Sequence, residues 1–494
     1  MAIDRLAQPL RAATLAALVV SQVTSAASSS VSTLRQVAVL SRHGVRGPYG
    51  FGTTSPTAEQ IDAFLTAQAF VNGAFPACSS LVPITKGTRL LFEQGQDPTA
   101  TCPVCSRTLY EGMIGAPDCR FVVAENRREI EELNTLLDCC APVACAVNAS
   151  DAAAASNDTQ CTFFDVPTQW RGDFYSPWKD ALASADYMAE FLTLLALNNM
   201  TIPAPFTFEK ILELARIHEA HMDLVTNEVN SENFGGTFLA HLTASFEQTM
   251  TGKALPLPAG KPGPKLAQSL DNRFLYYAGH DINLLYVRNL LRLEWYSHGW
   301  HPHEPTPGSM LIFELHSSDH AESSPLTSNA SVKVGRRLVG ASETPSPDSY
   351  YVKALFVTAS PLQMRDGTPL SADHPPNVVP VIIPECSRDV RLSDGSIDVR
   401  CSFADFKALM SRSLKHECVA DTLRPFIDSI DGRSGGGSSS DSAHALHLPV
   451  FLWVAFVALV AVFVGIVIRH FVGERRRRTP SKQEYGSLPQ VTTE

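Results

Sequence analysis

The sequence has few charged residues for its length, and basic residues are the scarcer kind. Of its 494 residues 18% are charged, with 40 Lys and Arg against 50 Asp and Glu, which gives a formal net charge of −10. A broad basic surface for nucleic acid is therefore not expected. The sequence also lacks an internal repeat and an HExxH motif, so neither a repeat architecture nor a zinc-protease helix is predicted. Its 45% hydrophobic content instead indicates a globular protein with a substantial core.

Both ends of the chain carry apolar stretches. Basic residues, an apolar run over 12–20 and small residues up to Ala26 predict a signal peptide over 1–26, with an amphipathic first helix of the mature fold as the alternative. No ionisable side chain interrupts Val450–Ile468, and arginines follow it, which predicts a transmembrane helix over 448–468 with its cytosolic side after it. The alternative is a buried helix of a soluble domain.

These segments predict a type I membrane protein at the cell surface or in an endosomal or lysosomal membrane. Its ectodomain would span 27–431 and face the exterior or a lumen, followed by a Gly/Ser-rich stalk over 432–447. The cytosolic tail, 469–494, has six basic and three acidic residues and is expected to lie against anionic lipid headgroups.

All eleven cysteines precede the predicted span, as expected for disulfides in an oxidising compartment. They form one group over 78–161 and another over 386–418, which predicts local bridges; the pairing stays open, and the odd count leaves at least one cysteine over. Cys102 and Cys105 have the spacing of a zinc or redox pair, but no second pair matches them. Four sequons are available for glycosylation, at Asn148, Asn157, Asn199 and Asn329.

Hydrophobic periodicity predicts an α/β fold with a central, mostly parallel sheet flanked by helices. A helical cap insertion is expected at roughly 120–265, between the first two strands. The predicted strands are Leu34–Leu40, Arg273–Tyr277, Ser309–Leu315 and Tyr350–Val357. The predicted helical segments are Ala181–Leu197, Phe208–Met250, Ile282–Leu291 and Phe403–Leu414.

The segment Arg42–Pro48, which reads Arg-His-Gly-Val-Arg-Gly-Pro, follows the first predicted strand directly. Arg42 and Arg46 offer planar sets of N–H donors that match phosphate oxygens, and neutral His43 offers a ring nitrogen that can attack phosphorus. The alternative is a surface turn with one histidine and scattered arginines.

A second strand ends in the same way, because Phe274–Gly279 is followed by His280 and Asp281. Polar groups at the carboxyl ends of neighbouring strands share a cleft, so the two motifs are expected to meet there. Asp281 would then be a general acid for the leaving oxygen and later a base for water, while a role as helix N-cap is a compatible alternative.

The ordered pair of motifs resembles the histidine acid phosphatases, whose signatures are RHGxRxP and a later His-Asp pair. The resemblance implies a metal-independent phosphomonoesterase without a cofactor, working through a phosphohistidine on His43 with Asp281 as proton donor. It also implies that Arg42, Arg46 and His280 bind the phosphate, together with Arg107 in its Arg-Thr-Leu context. The usual β-branched strand is missing before Arg107, and a surface arginine is the alternative interpretation.

The resemblance leaves substrate and partners open. Instead of a general acid phosphatase, the chain could be a phosphatase for inositol phosphates or lysophospholipid phosphates, or an inactive surface glycoprotein. The sequence Tyr485–Leu488 is similar to a sorting signal read by an adaptor, and a homodimer is one option for the oligomeric state. His218 and His221 lie one turn apart, and three more histidines surround Trp300, but surface histidines are the more common case and no metal site is predicted.

Overall fold

The computed structural model describes residues 32–45, 56–77, 79–82, 84, 91, 102, 106–115, 120–137, 162–173, 175–255, 268–318, 347–392 and 394–430. They all belong to one compact unit, Met1–Ser434. The predicted signal peptide, stalk, membrane span, tail and sorting sequence lie outside these residues. Among the helices that are described, none combines the length and the apolar character needed to cross a bilayer.

The strands are β1 Ser32–Arg42, β2 Gln169–Trp170, β3 Trp178–Lys179, β4 Phe274–Gly279, β5 Met310–Ser318, β6 Tyr350–Thr358, β7 Asn377–Pro380, β8 Arg388–Arg391 and β9 Ile397–Ser402. A seven-stranded sheet forms the centre of the fold, in the order β4-β1-β5-β6-β9-β8, with β7 also paired to β6. A separate two-stranded sheet joins β2 and β3.

In the sequence, helices lie between the strands of the large sheet and after the last of them. They are α1 Pro56–Ala74, α2 Arg107–Ile114, α3 Arg120–Glu125, α4 Arg127–Leu137, α5 Ala181–Leu197, α6 Phe208–Leu214, α7 Arg216–Val225, α8 Glu228–Thr251, α9 Asp281–Leu291, α10 Pro361–Asp366, α11 Phe403–Ser413 and α12 Arg424–Ile430. The predicted α/β class, with helices around a central sheet, is confirmed.

Hydrogen bonds to N-cap side chains explain where α5 and α8 begin. The Asp180 carboxylate accepts a hydrogen bond from the Ala183 amide, so α5 starts at the residue predicted from periodicity. The predicted block Phe208–Met250 is three helices instead of one. Asn227 accepts from the amide of Asn230 and starts α8 separately, and a polar N-cap of this kind is invisible to an apolar repeat.

The prediction of a mostly parallel sheet is wrong. Among the described strands only β1 and β4 pair in parallel, while the other pairs are antiparallel. The reason lies after α9, where the chain returns to the edge at which β4 ended: the Gly308 amide donates to the His43 carbonyl at 2.7 Å. Strand β5 must therefore start at that edge and run back against β1.

Two large hydrophobic clusters, among several in the described residues, accompany this topology. The larger one joins the sheet to α8, α9 and α11, with Phe238, Val287 and Phe406 at its centre. The other packs α2, α4, α5, α6 and α7 against one another around Ile130 and Ala185. Helix α8, which was predicted as part of the cap insertion, thus packs on the sheet, while the boundaries of that insertion stay a prediction.

Two disulfides are described, and one of them corrects the predicted pairing. Cys386 and Cys401 form a local bridge, as expected within the second group. Cys102 instead pairs with Cys418, 316 residues away, and therefore joins the two groups. The folded chain brings these residues together across the domain, which spacing along the sequence could not show. Cys102 consequently does not form a redox pair with Cys105.

Candidate active site

The two sequence motifs meet at the carboxyl ends of the parallel strands β1 and β4. In their register Arg42 lies opposite Gly279, so the residues that follow each strand emerge side by side. The His43 amide donates to the Gly279 carbonyl at 2.9 Å, and the rings of His43 and His280 are 5.2 Å apart with planes inclined at 72°. The predicted convergence of His43 with His280 is therefore present in the fold.

Hydrogen bonds fix the ring and backbone of His43, a residue that is only 1% exposed. Its Nδ1 lies 2.8 Å from the carbonyl oxygen of Gly44. Because a carbonyl can only accept, Nδ1 must carry the proton, and Nε2 is the nitrogen with a lone pair in the neutral ring. The Gly44 amide donates in turn to the Thr66 hydroxyl at 3.1 Å. The ring is held in the tautomer that a nitrogen nucleophile requires.

Arg42 and Asp281 form a buried ion pair beside His43. A guanidinium nitrogen of Arg42 lies 2.7 Å from Oδ2 of Asp281, and the other terminal nitrogen donates to the Pro305 carbonyl at 2.8 Å. Burial by itself would raise the pKa of Asp281, but Arg42, with His218 and the two motif histidines, outweighs it and holds this pKa far below its usual range. In the ligand-free protein Asp281 is thus a carboxylate.

Helix α9 begins at Asp281, so His280 occupies the N-cap position, and the alternative interpretation of Asp281 as the N-cap is off by one residue. The His280 amide donates to the Asn283 side chain at 2.8 Å. Gly279 makes this bond sterically feasible, because a Cβ at that position would lie 2.6 Å from the same oxygen of Asn283. The turn that delivers His280 and Asp281 therefore depends on a glycine.

Comparisons with known proteins agree with this architecture. The sequence is 29% identical over 150 residues to phytase AppA of Escherichia coli (strain K12), a match spanning 30% of this chain and 27% of that protein. Phytases are histidine acid phosphatases, so over these 150 residues the chain is similar to a member of that family. No protein-family model matches the chain.

Solved phytase structures share the fold of this chain. The Citrobacter braakii phytase superposes with a TM-score of 0.55 at 18% identity, covering 79% of this chain and 100% of that one. The Hafnia alvei phytase in complex with tartrate gives a TM-score of 0.55 at 19% identity, covering 80% and 100%. The Klebsiella sp ASR1 phytase gives 0.54 at 16% identity, covering 80% and 99%.

The structure places Arg107, expected to be the family's further phosphate-binding arginine, at the first residue of α2. Its side chain is 55% exposed and pairs with Glu111 at 2.7 Å, one turn along the same helix. This is the geometry of a surface i,i+4 ion pair, in line with the interpretation of Arg107 as a surface arginine. None of its described contacts joins it to Arg42 or Asp281. Arg46 lies outside the described residues.

Helices α5 and α7 bring three further residues to the site, which the motifs had not indicated. Glu190 lies 3.9 Å from a guanidinium nitrogen of Arg42. A ring nitrogen of His218, an oxygen of Glu190 and an oxygen of Asp281 all lie within 4.8 Å of one another. Nδ1 of His218 is bonded to an oxygen of Asp186 at 2.7 Å. The one-turn spacing of His218 and His221 was the only signal in the sequence, and it led to no predicted site.

The pKa values of Asp186 and His218 in this cluster are strongly shifted. Burial opposes ionisation of both Asp186 and His218, but attraction between opposite charges prevails. His221 and His218 lower the pKa of Asp186 to about 2, while Asp186, Glu190 and Asp281 raise the pKa of His218 to about 9. The set formed by Glu190, His218 and Asp281 has the donor types of a cation site, but Arg42 already occupies the Oδ2 atom of Asp281.

Two adjoining cavities open beside these residues. A narrow one of about 20 Å³ is lined by Arg42, Glu190, His218 and Glu304. Its neighbour, of about 160 Å³, is lined by Trp300 and again by Glu304. Burial is the main cause that raises the pKa of Glu304, partly offset by His301, Arg42 and His218. The narrow cavity beside Arg42 and His218 thus continues into a space that an ester's leaving group could occupy.

Proposed function

We propose that the chain is a phosphomonoesterase that forms a covalent phosphohistidine on His43, with Asp281 as the proton donor. The observation that carries the proposal is the pairing of two strand ends, which holds the His43 ring beside His280 and next to the Arg42–Asp281 ion pair. The relationship to phytases supports a phosphatase of the histidine acid type.

The proposed reaction has two steps. The lone pair of Nε2 of His43 attacks phosphorus, the bond to the ester oxygen breaks, and protonated Asp281 gives its proton to the departing oxygen. Asp281, now a carboxylate, takes a proton from water as the water oxygen attacks phosphorus. This releases phosphate and restores His43. The Nδ1–H bond to the Gly44 carbonyl supports the imidazole while it carries the phosphoryl group.

Asp281 must acquire a proton before it can act as the donor. In the ligand-free site its pKa is held low chiefly by Arg42, at 2.7 Å. A bound phosphate competes for that guanidinium and adds negative charge beside the carboxylate, and both effects raise the pKa of Asp281. Acid conditions then favour the reaction, in keeping with the predicted acid phosphatase.

We assign phosphate binding to Arg42, Arg46 and His280, as the motif match implies. Arg107 is not used in this proposal, because its side chain is largely exposed and paired with Glu111. No step requires a metal or a cofactor, since nucleophile, acid and positive charge all come from side chains.

The sequence supports a membrane-anchored form of this enzyme. The predicted span over 448–468 would hold residues 27–431 outside the cytosol, at the cell surface or in an endosomal or lysosomal membrane. Tyr485–Leu488 would then face a cytosolic sorting adaptor. Protease protection of the tail in sealed vesicles tests the orientation.

A specific observation favours a second candidate, a phosphatase selective for inositol phosphates, because the named relatives are phytases. A phosphatase for lysophospholipid phosphates and an inactive surface glycoprotein are two further candidates. Relative kcat/KM values for phytate, a lysophospholipid phosphate and an aryl phosphate separate the enzymatic candidates, and activity on none of these three esters would favour the glycoprotein.

The decisive test is His43→Ala in the purified full-length chain. We expect hydrolysis of an aryl phosphate at acid pH to be abolished, because the variant lacks the proposed nucleophile. Rapid acid-free quenching with a radiolabelled phosphomonoester should trap label on the wild type and none on the variant. Activity equal to that of the wild type in a folded His43→Ala protein would refute the mechanism.

A further inference from the structure

Helices α5 and α7 place a buried histidine and carboxylate next to the reacting groups. Asp186 is 6% exposed, and its Oδ1 lies 2.7 Å from Nδ1 of His218. A carboxylate only accepts, so Nδ1 of His218 donates this bond, and Nε2 on the opposite side of the ring is not used by Asp186. His218 lines the narrow cavity together with Arg42.

The geometry points to His218 as a phosphate-binding residue, held by Asp186 so that Nε2–H donates to a phosphate oxygen in the cavity beside Arg42. This inference rests on the proposed phosphatase function. It gives the pocket a second cation beside Arg42, whereas Arg107 lies on the surface and pairs with Glu111. A charged donor to a phosphate oxygen makes a strong hydrogen bond, which a neutral amide cannot match.

The charges around His218 come from several elements. Carboxylates outnumber the guanidinium and are the reason that the imidazole stays protonated well above neutral pH, with a pKa of about 9. The facing groups are Asp186 and Glu190 on α5, Glu219 and His221 on α7, Asp281 on α9, Arg42 on β1 and Glu304 in the loop before β5.

His221 provides a matched control within the same helix. Its Nδ1 lies 2.7 Å from the other oxygen of Asp186, and it is more deeply buried than His218. It does not line the narrow cavity. A purely structural role for the Asp186 cluster would thus affect variants of both histidines, whereas phosphate binding should depend on His218 alone.

The test is calorimetric titration of the full-length chain with inorganic phosphate at about pH 6, where the imidazole is charged. We expect His218→Gln to weaken binding about 10- to 100-fold, the range for losing a hydrogen bond to a charged group, and His221→Gln to change it by less than about threefold. Unfolding curves of both variants report whether they fold.

Asp186→Asn is the second variant, and it still tests the inference if His218→Gln fails to fold. Removing the carboxylate lowers the pKa of His218, so phosphate binding should weaken more at about pH 8 than at about pH 6, relative to the wild type. Unchanged affinity in His218→Gln, or equal losses in both histidine variants, would overturn the inference. A wild type that neither binds phosphate nor hydrolyses any phosphomonoester would instead refute the proposed function.

Discussion

The Asp186–His218 pair should make stability depend on pH in a definite direction. Its histidine has a pKa raised from 6.5 to about 9 in the folded chain. A group whose pKa is raised by folding stabilises the native state fully below its unfolded pKa and loses that contribution as pH rises through its folded value. The expected window of loss is thus about pH 6.5 to about pH 9.

The size of this contribution follows from the same values. A rise from 6.5 to about 9 corresponds to about 3 kcal/mol, and the pair is buried enough that solvent screens little of it. Native proteins have unfolding free energies of about 5 to 15 kcal/mol, so a loss of this size is measurable. Urea unfolding at about pH 6 and about pH 9.5, with the disulfides intact, measures it.

The comparison must be made with variants, because another group titrates in an overlapping range. Burial, followed by repulsion from Glu304 and Asp223, raises the pKa of Glu219 from 4.5 to about 8, which also removes stability as pH rises. His218→Gln should lose most of the pH dependence above about pH 7, while His221→Gln should keep it, since the Asp186–His218 bond remains. Equal pH dependence in the wild type and His218→Gln would refute the reasoning.

Two further predictions concern the proton donor and the packing behind it. Asp281→Asn should slow hydrolysis of esters with poor leaving groups far more than those with good ones, because only poor leaving groups need the proton; a uniform reduction in kcat would argue for a structural role alone. Gly235→Ala should lower the unfolding free energy by about 1 to 3 kcal/mol, since its Cβ would lie 2.8 Å from Cβ of Tyr286 where α8 crosses α9. Gly112→Ala is the matched control, because no atom lies within 4 Å of its added Cβ, and stability equal in both variants would contradict the packing argument.

The parts of the site that follow directly from a strand could be predicted from sequence. The apolar runs of β1 and β4 are clear in the sequence. Each is followed by a histidine one residue beyond its last paired position, so His43 and His280 meet where the two strands pair. The bounds of α5 were also predictable, because an apolar helix with an Asp N-cap leaves little choice. The position of each histidine at the end of its strand and the bounds of α5 depend on residues close to one another in the sequence.

The features that the sequence did not indicate depend on long-range geometry. The direction of β5 is set by the return of the loop after α9 to His43, and no periodicity encodes that return. The Cys102–Cys418 bridge and the burial of Asp186 likewise arise only when distant helices pack. The spacing of His218 and His221 was visible in the sequence, but the partner of His218 is a carboxylate 32 residues earlier, which the spacing does not indicate. That carboxylate is what makes His218 a charged imidazole.

This arrangement bears on how the proposed reaction is controlled. For Asp281 to be protonated before substrate binds, its interaction with Arg42 would have to be weak. The two side chains are instead 2.7 Å apart and buried. Arg42 therefore cannot stabilise the carboxylate and a bound phosphate fully at the same time. Under the proposed mechanism the phosphate competes for that guanidinium, and the energy of this competition protonates Asp281 only when substrate is present. His218 is bonded to Asp186 and not to Asp281, so its imidazole can stay charged throughout the reaction. Arg42 can then leave Asp281 for the substrate phosphate while His218 remains in place as the second cation.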